Sequence, residues 1–453
     1  MFNRVLVANR GEIAVRVIRA LHELGVEAVA VYSTADEDAL HVRLADRAVR
    51  IGPPAAAESY LRIPALVAAA ETTGCEAVHP GYGFVSENAD FVRACEDNDL
   101  VFIGPSAEVM QRMGDKARAK AEMRAAGVPL VPGTDAVAEP GDALAAAEEL
   151  GFPVLLKAAA GGGGKGMRFV TEPGDLHDAY QRAAAEAEAA FGDGSLYVEK
   201  VITPARHVEI QVLCDHHGHF LTCGERECSI QRRHQKLIEE SPSPALDDEL
   251  REAMEAAAEQ ACRHIGYRNA GTFEFLVGPD GSFSFIELNA RLQVEHPVTE
   301  SVIGIDLVRE QVRIAAGVPL AHGGRAGPRR GHAIELRINA EDPARGFAPA
   351  PGRIERFRPP LGPGVRVDTF VEDGTTISPH YDSLIAKVVV VDASRRLAIT
   401  RAHRALGELV VEGVPTTRDV LLDILDSDEF RSGDYSTSFL EEAGARLPAL
   451  AGS

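Results

Sequence analysis

The sequence predicts an α/β fold, α+β over the whole chain, because short apolar strand patterns alternate with helical patterns near its start. Residues 4–8 and 28–32 are apolar runs, and residues 12–24 place apolar side chains on one helical face before Gly25. Strands that alternate with helices are typical of a parallel sheet, so roughly the first 110 residues are expected to form one α/β unit. At about 150 residues per domain, this length predicts about three domains.

The later elements follow a boundary rich in proline and glycine at residues 131–142. A strand, a glycine loop, a helix and a second strand then predict an inserted subdomain of about 70 residues. From residue 207 the pattern is rich in strands, and a linker rich in glycine and arginine precedes the last mixed part. The predicted strands are 76–79, 100–103, 154–157, 196–200, 271–276 and 283–288, and the predicted long helices are 175–191 and 247–265.

Composition and charge exclude several classes of protein. The chain has 47 Lys and Arg against 68 Asp and Glu, a net charge of −21, which disfavours binding to nucleic acid or to anionic membranes. Six cysteines without a C-x-x-C pair predict reduced thiols, as in the cytosol. The N-terminus has no apolar signal region and no apolar run is long enough to span a membrane, so we expect a cytoplasmic protein.

The glycine run at residues 161–164, followed by Lys165 and Gly166, could close its backbone N–H groups around an anion. A P-loop would need glycine at position 159 and Ser or Thr at 166, where Ala159 and Gly166 stand. A flexible surface loop is the alternative interpretation. Lys157 ends the preceding predicted strand, and a lysine beside a glycine-rich flap favours a nucleotide triphosphate.

Acidic residues mark a predicted metal site. Side chains two apart share one face of a strand, so Glu287 and Asn289 point the same way, and Glu274 lies on a neighbouring apolar strand. Carboxylate and amide oxygens suit Mg²⁺, although the exposed polar face of a sheet would show the same alternation.

Further charged residues indicate an anion site. Arg291, Gln293 and Glu295 continue the two-residue step, and together they could hold a small oxyanion and deprotonate it. The basic group at residues 232–236 is unexpected in an acidic chain and also suggests an anion. A salt-bridged surface strand and a solvated charged turn are the respective alternatives.

Together these segments resemble the biotin carboxylase family of the ATP-grasp superfamily, in family order over nearly the whole chain. The matching motifs are VANRGEIA (7–14), HPGYGFVSEN (79–88), MGDK (113–116), KAAAGGGGKGM (157–167), EKVI (199–202), RHVEIQV (206–212), ERECSIQRRHQK (225–236), GTFEFL (271–276), IELNARLQVEHPVTE (286–300), RINAEDP (337–343) and YDSLIAK (381–387). The resemblance implies a Rossmann-like N-terminal domain (1–114), an ATP-grasp domain (115–330) with a mobile lid (about 132–202), a C-terminal domain (331–445) and a tail (446–453).

The resemblance also implies roles for individual residues. The implied nucleotide contacts are Lys116, Lys157, Gly163, Gly164, Glu199, Lys200, Val201, Ile202, His207, Gln231 and His234, with Glu274 and Glu287 acting through the metal. A pair of Mg²⁺ or Mn²⁺ ions is implied at Glu274, Glu287 and Asn289. The implied bicarbonate site is Lys236, Arg291, Gln293 and Val294, with Glu295 as general base. Arg337 is implied to stabilise the biotin enolate, and Tyr82 to line the biotin pocket.

The implied reaction is the carboxylation of biotin on a carrier protein by ATP and bicarbonate, through carboxyphosphate. It is the first half-reaction of an acetyl-CoA or other acyl-CoA carboxylase, which leads to malonyl-CoA and fatty acids. The sequence lacks the Met-Lys-Met motif of a biotin acceptor, so a biotin carboxyl carrier protein and a carboxyltransferase are expected as separate partners. The alternatives are another ATP-grasp ligase that joins a carboxylate to an amine, and a non-catalytic subunit.

A homodimer is also implied, although one position departs from the family pattern. Arg19, Glu23 and Arg366 match positions of the family's dimer contact. Pro363 stands where an aromatic residue is familiar, which weakens the expectation of a tight homodimer.

Overall fold

The first sheet of the computed structural model is parallel, with five strands in the order β3-β2-β1-β4-β5. The structure describes residues 1–137, 139–159, 167–233, 235–321 and 323–450. The N-terminal elements are β1 (Arg4–Val7), α1 (Gly11–Glu23), β2 (Glu27–Ser33), α2 (Leu40–Leu44), β3 (Arg47–Gly52), α3 (Ile63–Thr73), β4 (Ala77–His79), α4 (Ala89–Glu96), β5 (Val101–Phe102) and α5 (Ala107–Gly114). The strand order reverses between β1 and β4, and ligands of such sheets bind beyond the carboxyl ends of the strands at that point.

Strand β3 is an element that the sequence analysis missed. It lies at the edge of the sheet, and only Ile51 among its six residues is buried. Edge strands commonly carry charged side chains, so Arg47 and Arg50 hide the apolar pattern on which the prediction depends.

A small subdomain follows the N-terminal unit and has an apolar core of its own. Its strands pair in the order β7-β6-β8. The elements of this part are α6 (Lys116–Ala125), α7 (Pro140–Leu150), β6 (Val154–Ala158), β7 (Arg168–Val170), α8 (Pro173–Phe191) and β8 (Leu196–Lys200). Gly133 enters the subdomain beside β8, where a Cβ atom would lie 2.6 Å from the Val198 carbonyl oxygen, so the close backbone approach requires glycine.

One large sheet joins the middle and the end of the chain. Its strands run in the order β13-β12-β9-β10-β11-β15-β22-β20, with β14 paired to β10. The middle elements are β9 (Arg206–Cys214), β10 (Phe220–Arg232), β11 (Gln235–Ser241), α9 (Asp248–Ile265), β12 (Asn269–Val277), β13 (Phe283–Asn289), α10 (His296–Ile303) and α11 (Leu307–Ala315). Because β11 pairs with β15, side chains from both parts of the chain share one continuous surface.

The last elements surround a second large core. They are β14 (Gly324–Arg325), β15 (His332–Asn339), β16 (Glu341–Asp342), β17 (Ala348–Pro349), β18 (Gly352–Arg353), β19 (Arg356–Arg358), β20 (Val365–Thr369), β21 (Thr376–Ile377), β22 (Leu384–Asp392), α12 (Arg395–Glu408), β23 (Val410–Glu412), α13 (Arg418–Asp426), α14 (Asp428–Ser432) and α15 (Phe439–Ala443). Among the helices that the structure describes, none combines the length and the apolar character needed to cross a bilayer.

The predicted two-residue step beyond Asn289 is wrong. Strand β13 ends at Asn289, and residues 290–295 form a loop that leads into α10. Leu292 is fully buried and anchors this loop, so Arg291, Gln293 and Glu295 are placed by the turn rather than by strand geometry.

Candidate active site

A cavity of about 360 Å³ lies between the small subdomain and the large sheet. Eight of the residues predicted to contact nucleotide or metal are among those lining it: Lys116, Lys157, Glu199, Lys200, Val201, Ile202, Glu287 and Asn289. Glu87, from the loop after β4, also lines the cavity, which therefore meets the switch point of the N-terminal sheet. The fold thus brings together residues that are up to about 200 positions apart, as expected for a ligand cleft between domains.

Positive charge is concentrated at one end of this cavity. Lys120 and Lys157 both donate to the carboxylate of Glu199. Burial opposes ionisation of Glu199, yet the two lysines hold its pKa below the usual value. Burial lowers the pKa of Lys120, which also lies 4.2 Å from the ring centre of Tyr197. The sequence analysis missed Lys120, which sits one helical turn after Lys116 on α6.

Negative charge faces the other side of the cavity. Glu274 on β12 and Glu287 on β13 are directly opposite each other in the antiparallel pair. Burial and the nearby charge of Glu274 raise the pKa of Glu287. Asn289 Nδ2 donates to Glu274 Oε1 at 2.8 Å, so the three side chains lie together, while the Asn289 amide oxygen accepts from Arg291. Two carboxylates and an amide oxygen beside a cavity fit a hard dication such as Mg²⁺.

Lys236 lies at the centre of a second, deeper cluster. Its Nζ is 2.7 Å from Glu209, 3.2 Å from Glu274 and 2.5 Å from Glu295. Burial opposes its charge, but these carboxylates hold the pKa of Lys236 well above the usual lysine value. His207 Nε2 lies 2.9 Å from Glu274, and Gln293 Nε2 donates to the same carboxylate at 2.5 Å.

Glu295 joins this cluster to Arg337. One carboxylate oxygen accepts from Lys236, and the other accepts from Arg337 Nη2 at 2.8 Å. Burial opposes the charge of Glu295, yet Lys236 and Arg337 hold its pKa well below the usual glutamate value. Glu239 accepts from Arg337 Nε at 2.6 Å, so two carboxylates orient this guanidinium.

Arg291 is held in place by Glu87, which the sequence analysis did not select. Glu87 accepts from Arg291 Nε at 3.0 Å and from the backbone N–H of Ala290 at 2.9 Å. Arg291 Nη2 also donates to Asn289 at 2.7 Å. These contacts hold Arg291 beside Asn289, next to the predicted metal ligands.

Tyr82 lies in a buried polar chain that reaches the same region. Its hydroxyl donates to Glu12, which lies 3.0 Å from Lys387 Nζ. Lys387 in turn donates to the carbonyl oxygen of Val294 at 2.9 Å. This series of polar contacts connects the N-terminal unit with β22 and with the loop before α10.

Comparison with known proteins gives a consistent result along the whole chain. Residues 1–110 match the family model "Biotin carboxylase, N-terminal domain", residues 115–323 match "Carbamoyl-phosphate synthase L chain, ATP binding domain", and residues 335–442 match "Biotin carboxylase C-terminal domain". A protein of Nostoc sp. named "Biotin carboxylase" is 52% identical over 442 residues, which cover 97% of this chain and 99% of that protein. The chain belongs to the biotin carboxylase family.

Solved structures of this family agree closely in fold. The Campylobacter jejuni biotin carboxylase in a β-γ-ATP complex is 47% identical and covers 98% of this chain and 99% of its own, with a TM-score of 0.92. The biotin carboxylase domain dimer of the Hydrogenobacter thermophilus 2-oxoglutarate carboxylase, in complex with MgADP, ADP and bicarbonate, is 47% identical and covers 99% of both chains at a TM-score of 0.91. The α/β architecture predicted from the sequence is confirmed, and this carboxylase is an ATP-dependent ligase.

Some of the predicted residues of this biotin carboxylase lie elsewhere. Gln231 lines a second cavity of about 610 Å³, beside Arg232 and Phe347, and is not on the wall of the first cavity. This position follows from its place at the far end of the long strand β10. The predictions for Gly163, Gly164 and His234 fall outside the described residues.

Arg226 lies in the ERECSIQRRHQK motif but was not selected as a site residue, and it holds several side chains of the site in place. It is fully buried and donates to Glu209 and, through Nη2, to Gln293 at 2.7 Å and Thr272 at 3.1 Å. Its Nη1 donates to Gln211 and Thr299. Arg226 therefore fixes Gln293 and the carboxylate of Glu209 beneath Lys236.

Replacing Arg226 by methionine is expected to lower the free energy of unfolding by about 3–5 kcal/mol, because it leaves a buried carboxylate with one fewer cation. Chemical denaturation measures the change. Arg263→Met is the matched control, since Arg263 is 61% exposed and its ion pair with Glu259 should contribute under about 1 kcal/mol. Equal losses in both variants would contradict the structural role of Arg226.

Proposed function

We propose that the Lys236 cluster binds and deprotonates bicarbonate and that Arg337 beside it stabilises the biotin anion, within the ATP-dependent carboxylation of biotin. The observation that carries this proposal is the position of Glu295, whose carboxylate contacts Lys236 at 2.5 Å and Arg337 at 2.8 Å. In this position Glu295 can accept the proton of bicarbonate bound at Lys236. The same carboxylate lies beside the Arg337 guanidinium that stabilises the biotin anion in the later step.

The first cavity is the place we assign to the nucleotide. Lys116 and Lys157 supply positive charge for the phosphate tail, and Lys120 adds to it. Residues 199–202 bring the end of β8 to the cavity wall, and we assign the edge of adenine to the backbone of this segment. Binding would replace the present pairing of Lys157 with Glu199 by contacts to phosphate.

Glu274, Glu287 and Asn289 are the residues we assign to the divalent metal. Their oxygen atoms fit Mg²⁺ or Mn²⁺, and burial together with the charge of Glu274 raises the pKa of Glu287, a repulsion that a dication between the two carboxylates would relieve. The metal would supply neutralisation of the charge on the γ-phosphate.

The low pKa of Glu295 makes its carboxylate a weak base in the absence of substrate, and a weak base is a poor proton acceptor. Lys236 and Arg291 both lie where the bicarbonate anion would bind, and its negative charge offsets theirs. The basicity of Glu295 therefore rises when the substrate is present, which couples deprotonation to binding. Gln293 and the backbone of Val294 complete this pocket in the proposal.

Arg337 and Tyr82 are assigned to biotin. Loss of the N1′ proton gives an enolate-like anion, and a fixed guanidinium lowers the energy of that charge without reorganising. Tyr82 supplies an aromatic wall whose hydroxyl is already bound to Glu12.

We infer that biotin arrives on a biotin carboxyl carrier protein and that a carboxyltransferase takes the carboxyl group onward, with acetyl-CoA or another acyl-CoA as acceptor. In this proposal the carboxyltransferase, and not this chain, selects the acceptor. A structural neighbour with the same fold belongs to a 2-oxoglutarate carboxylase, which supports a choice of acceptor made outside this fold. A cytoplasmic location and a homodimer through the region of Arg19, Glu23 and Arg366 are part of the same proposal. Co-purification followed by mass identification of bound proteins tests the partners.

The direct test uses the purified chain with MgATP, bicarbonate and free biotin. Biotin is expected to stimulate ADP formation, and bicarbonate is expected to be required. An ATP-grasp ligase that joins a carboxylate to an amine would turn over without bicarbonate. ATP binding without biotin-stimulated turnover would contradict the proposal.

Replacing Glu287 by glutamine is expected to raise the Mg²⁺ concentration for half-maximal activity by about tenfold or more, because a charged ligand becomes neutral. Titration of ADP formation with Mg²⁺ at saturating ATP measures it. Glu252→Gln, at an exposed carboxylate paired with Arg325, is the control and should titrate like the parent. An unchanged Mg²⁺ requirement in Glu287→Gln would remove this residue from the metal site.

A further inference from the structure

Two buried carboxyl groups lie directly behind Arg337. Glu239 on β11 and Glu335 on β15 are directly opposite each other in the antiparallel pair. Both side chains are fully buried. Opposite residues of a strand pair have Cβ atoms about 5 Å apart, so these two carboxyl groups face each other at close range. Two like charges in this position would repel each other strongly, since both groups are shielded from bulk solvent.

The hydrogen bonds of the pair are unequal. Glu239 Oε1 accepts from Arg337, whereas its Oε2 has no hydrogen-bond partner among the described residues. Both oxygens of Glu335 are buried and equally lack a partner within the described chain. Three unsatisfied carboxyl oxygens at one place are unusual, because buried polar atoms are nearly always hydrogen-bonded.

The charges of Lys387 and Arg337 favour the ionised form of Glu335, but neither cation donates a hydrogen bond to it in the described structure. Lys387 on β22 is committed to Glu12 at 3.0 Å and to the carbonyl oxygen of Val294 at 2.9 Å. Arg337 points its donors at Glu239 and Glu295. The other charged group that acts on Glu335 is the carboxylate of Glu295, whose charge adds to the repulsion.

We propose that Glu335 is a protonated carboxylic acid that donates its proton to Glu239 Oε2 and thereby positions Arg337. One proton satisfies the open oxygen of Glu239 and removes the like-charge repulsion. It fixes the Glu239 carboxylate so that Oε1 stays directed at Arg337. Burial, the largest cause, raises the pKa of Glu335 well above the usual glutamate value, in the direction that this arrangement requires.

The proton resides on Glu335 rather than on Glu239 because the two groups differ in their partners. Burial raises the pKa of Glu239 to about 7, but the charge and hydrogen bonds of Arg337 favour its ionised form, whereas no hydrogen-bond donor reaches Glu335 among the described residues. Glu335 is therefore a positioning residue: it acts on biotin through Glu239 and Arg337. This inference rests on the proposed role of Arg337, although the protonation itself does not.

Infrared spectroscopy tests the protonation directly. At neutral pH the difference spectrum of the parent minus Glu335→Gln is expected to contain the C=O stretch of a protonated carboxylic acid, which shifts in D₂O. Absence of that band overturns the proposal. A band that remains in Glu335→Gln but disappears in Glu239→Gln places the proton on Glu239 and also overturns it.

Kinetics test the positioning. Glu335→Ala is expected to lower kcat of biotin-dependent ADP formation by about tenfold or more, because Glu239 is free to turn away from Arg337. Glu335→Gln keeps a neutral donor of the same shape and should restore most of this loss. Equal losses in the alanine and glutamine variants would overturn the positioning role. If Arg337→Ala keeps full biotin-dependent turnover, the proposed function of Arg337 fails, while the infrared result still decides the protonation of Glu335.

Discussion

Replacing Glu295 by glutamine is expected to lower bicarbonate-dependent ADP formation by a factor on the order of 10²–10⁴. The amide has the same size and can still accept a hydrogen bond from Lys236 or Arg337, but it cannot take the proton of bicarbonate. Steady-state rates at saturating MgATP and bicarbonate, with and without biotin, measure the effect. Because deprotonation precedes the biotin step, both rates should fall together.

Two controls separate chemistry from folding in this experiment. Calorimetric titration with MgATP should give a similar Kd for the parent and for Glu295→Gln, because Glu295 is not among the residues that line the first cavity. Glu412→Gln changes an exposed carboxylate that pairs with Arg356, and it should keep the parent rate. A Glu295→Gln variant that retained its bicarbonate-dependent rate would exclude this residue as the base.

Arg337→Ala is expected to lower kcat with biotin by a factor on the order of 10²–10³, the usual cost of removing a donor from a developing oxyanion. ADP formation with bicarbonate but without biotin should change far less, since Arg337 acts on the second substrate. The comparison of the two rates is the measurement. Equal losses with and without biotin would assign Arg337 to the bicarbonate step instead.

The loss in Arg337→Ala also has a structural part, because Glu239 and Glu295 lose their shared cation. Arg337→Lys keeps the positive charge without the planar fork, so its biotin-dependent rate should lie between those of the parent and the alanine variant. Thermal unfolding of both variants reports the structural cost. Arg356→Ala, at an exposed ion pair, is the matched control and should leave kcat and Tm near the parent values.

The sequence was most informative where a local pattern has a local cause. The helix before Gly25 and the helix before Gly266 end as predicted, because both glycines adopt a positive φ that other residues rarely take. The strands β1 and β2 were recognised as apolar runs, because strands that are buried on both faces carry apolar side chains on both. Strand β3 was missed because an edge strand with charged side chains has no apolar run.

In the site, too, the residues with a local sequence pattern were predicted and those without one were missed. The two-residue step correctly placed Glu287 and Asn289 at the end of β13, and Glu274 does lie opposite on β12. Beyond Asn289 the step failed, because a turn replaces the strand. Arg226 and Glu87 were missed because their partners are far away in sequence; Glu87 and Arg291 are 204 positions apart.

The order of the motifs identified the family through their resemblance to biotin carboxylases, whereas the residue types by themselves indicated only nucleotide, metal and anion sites. Only the tertiary structure decided which charges are buried together. By its sequence Glu335 resembles an ordinary strand residue, and only the pairing of β15 with β11 shows that it is fully buried opposite Glu239. The state of a buried charge depends on neighbours from distant segments, and no local pattern records them.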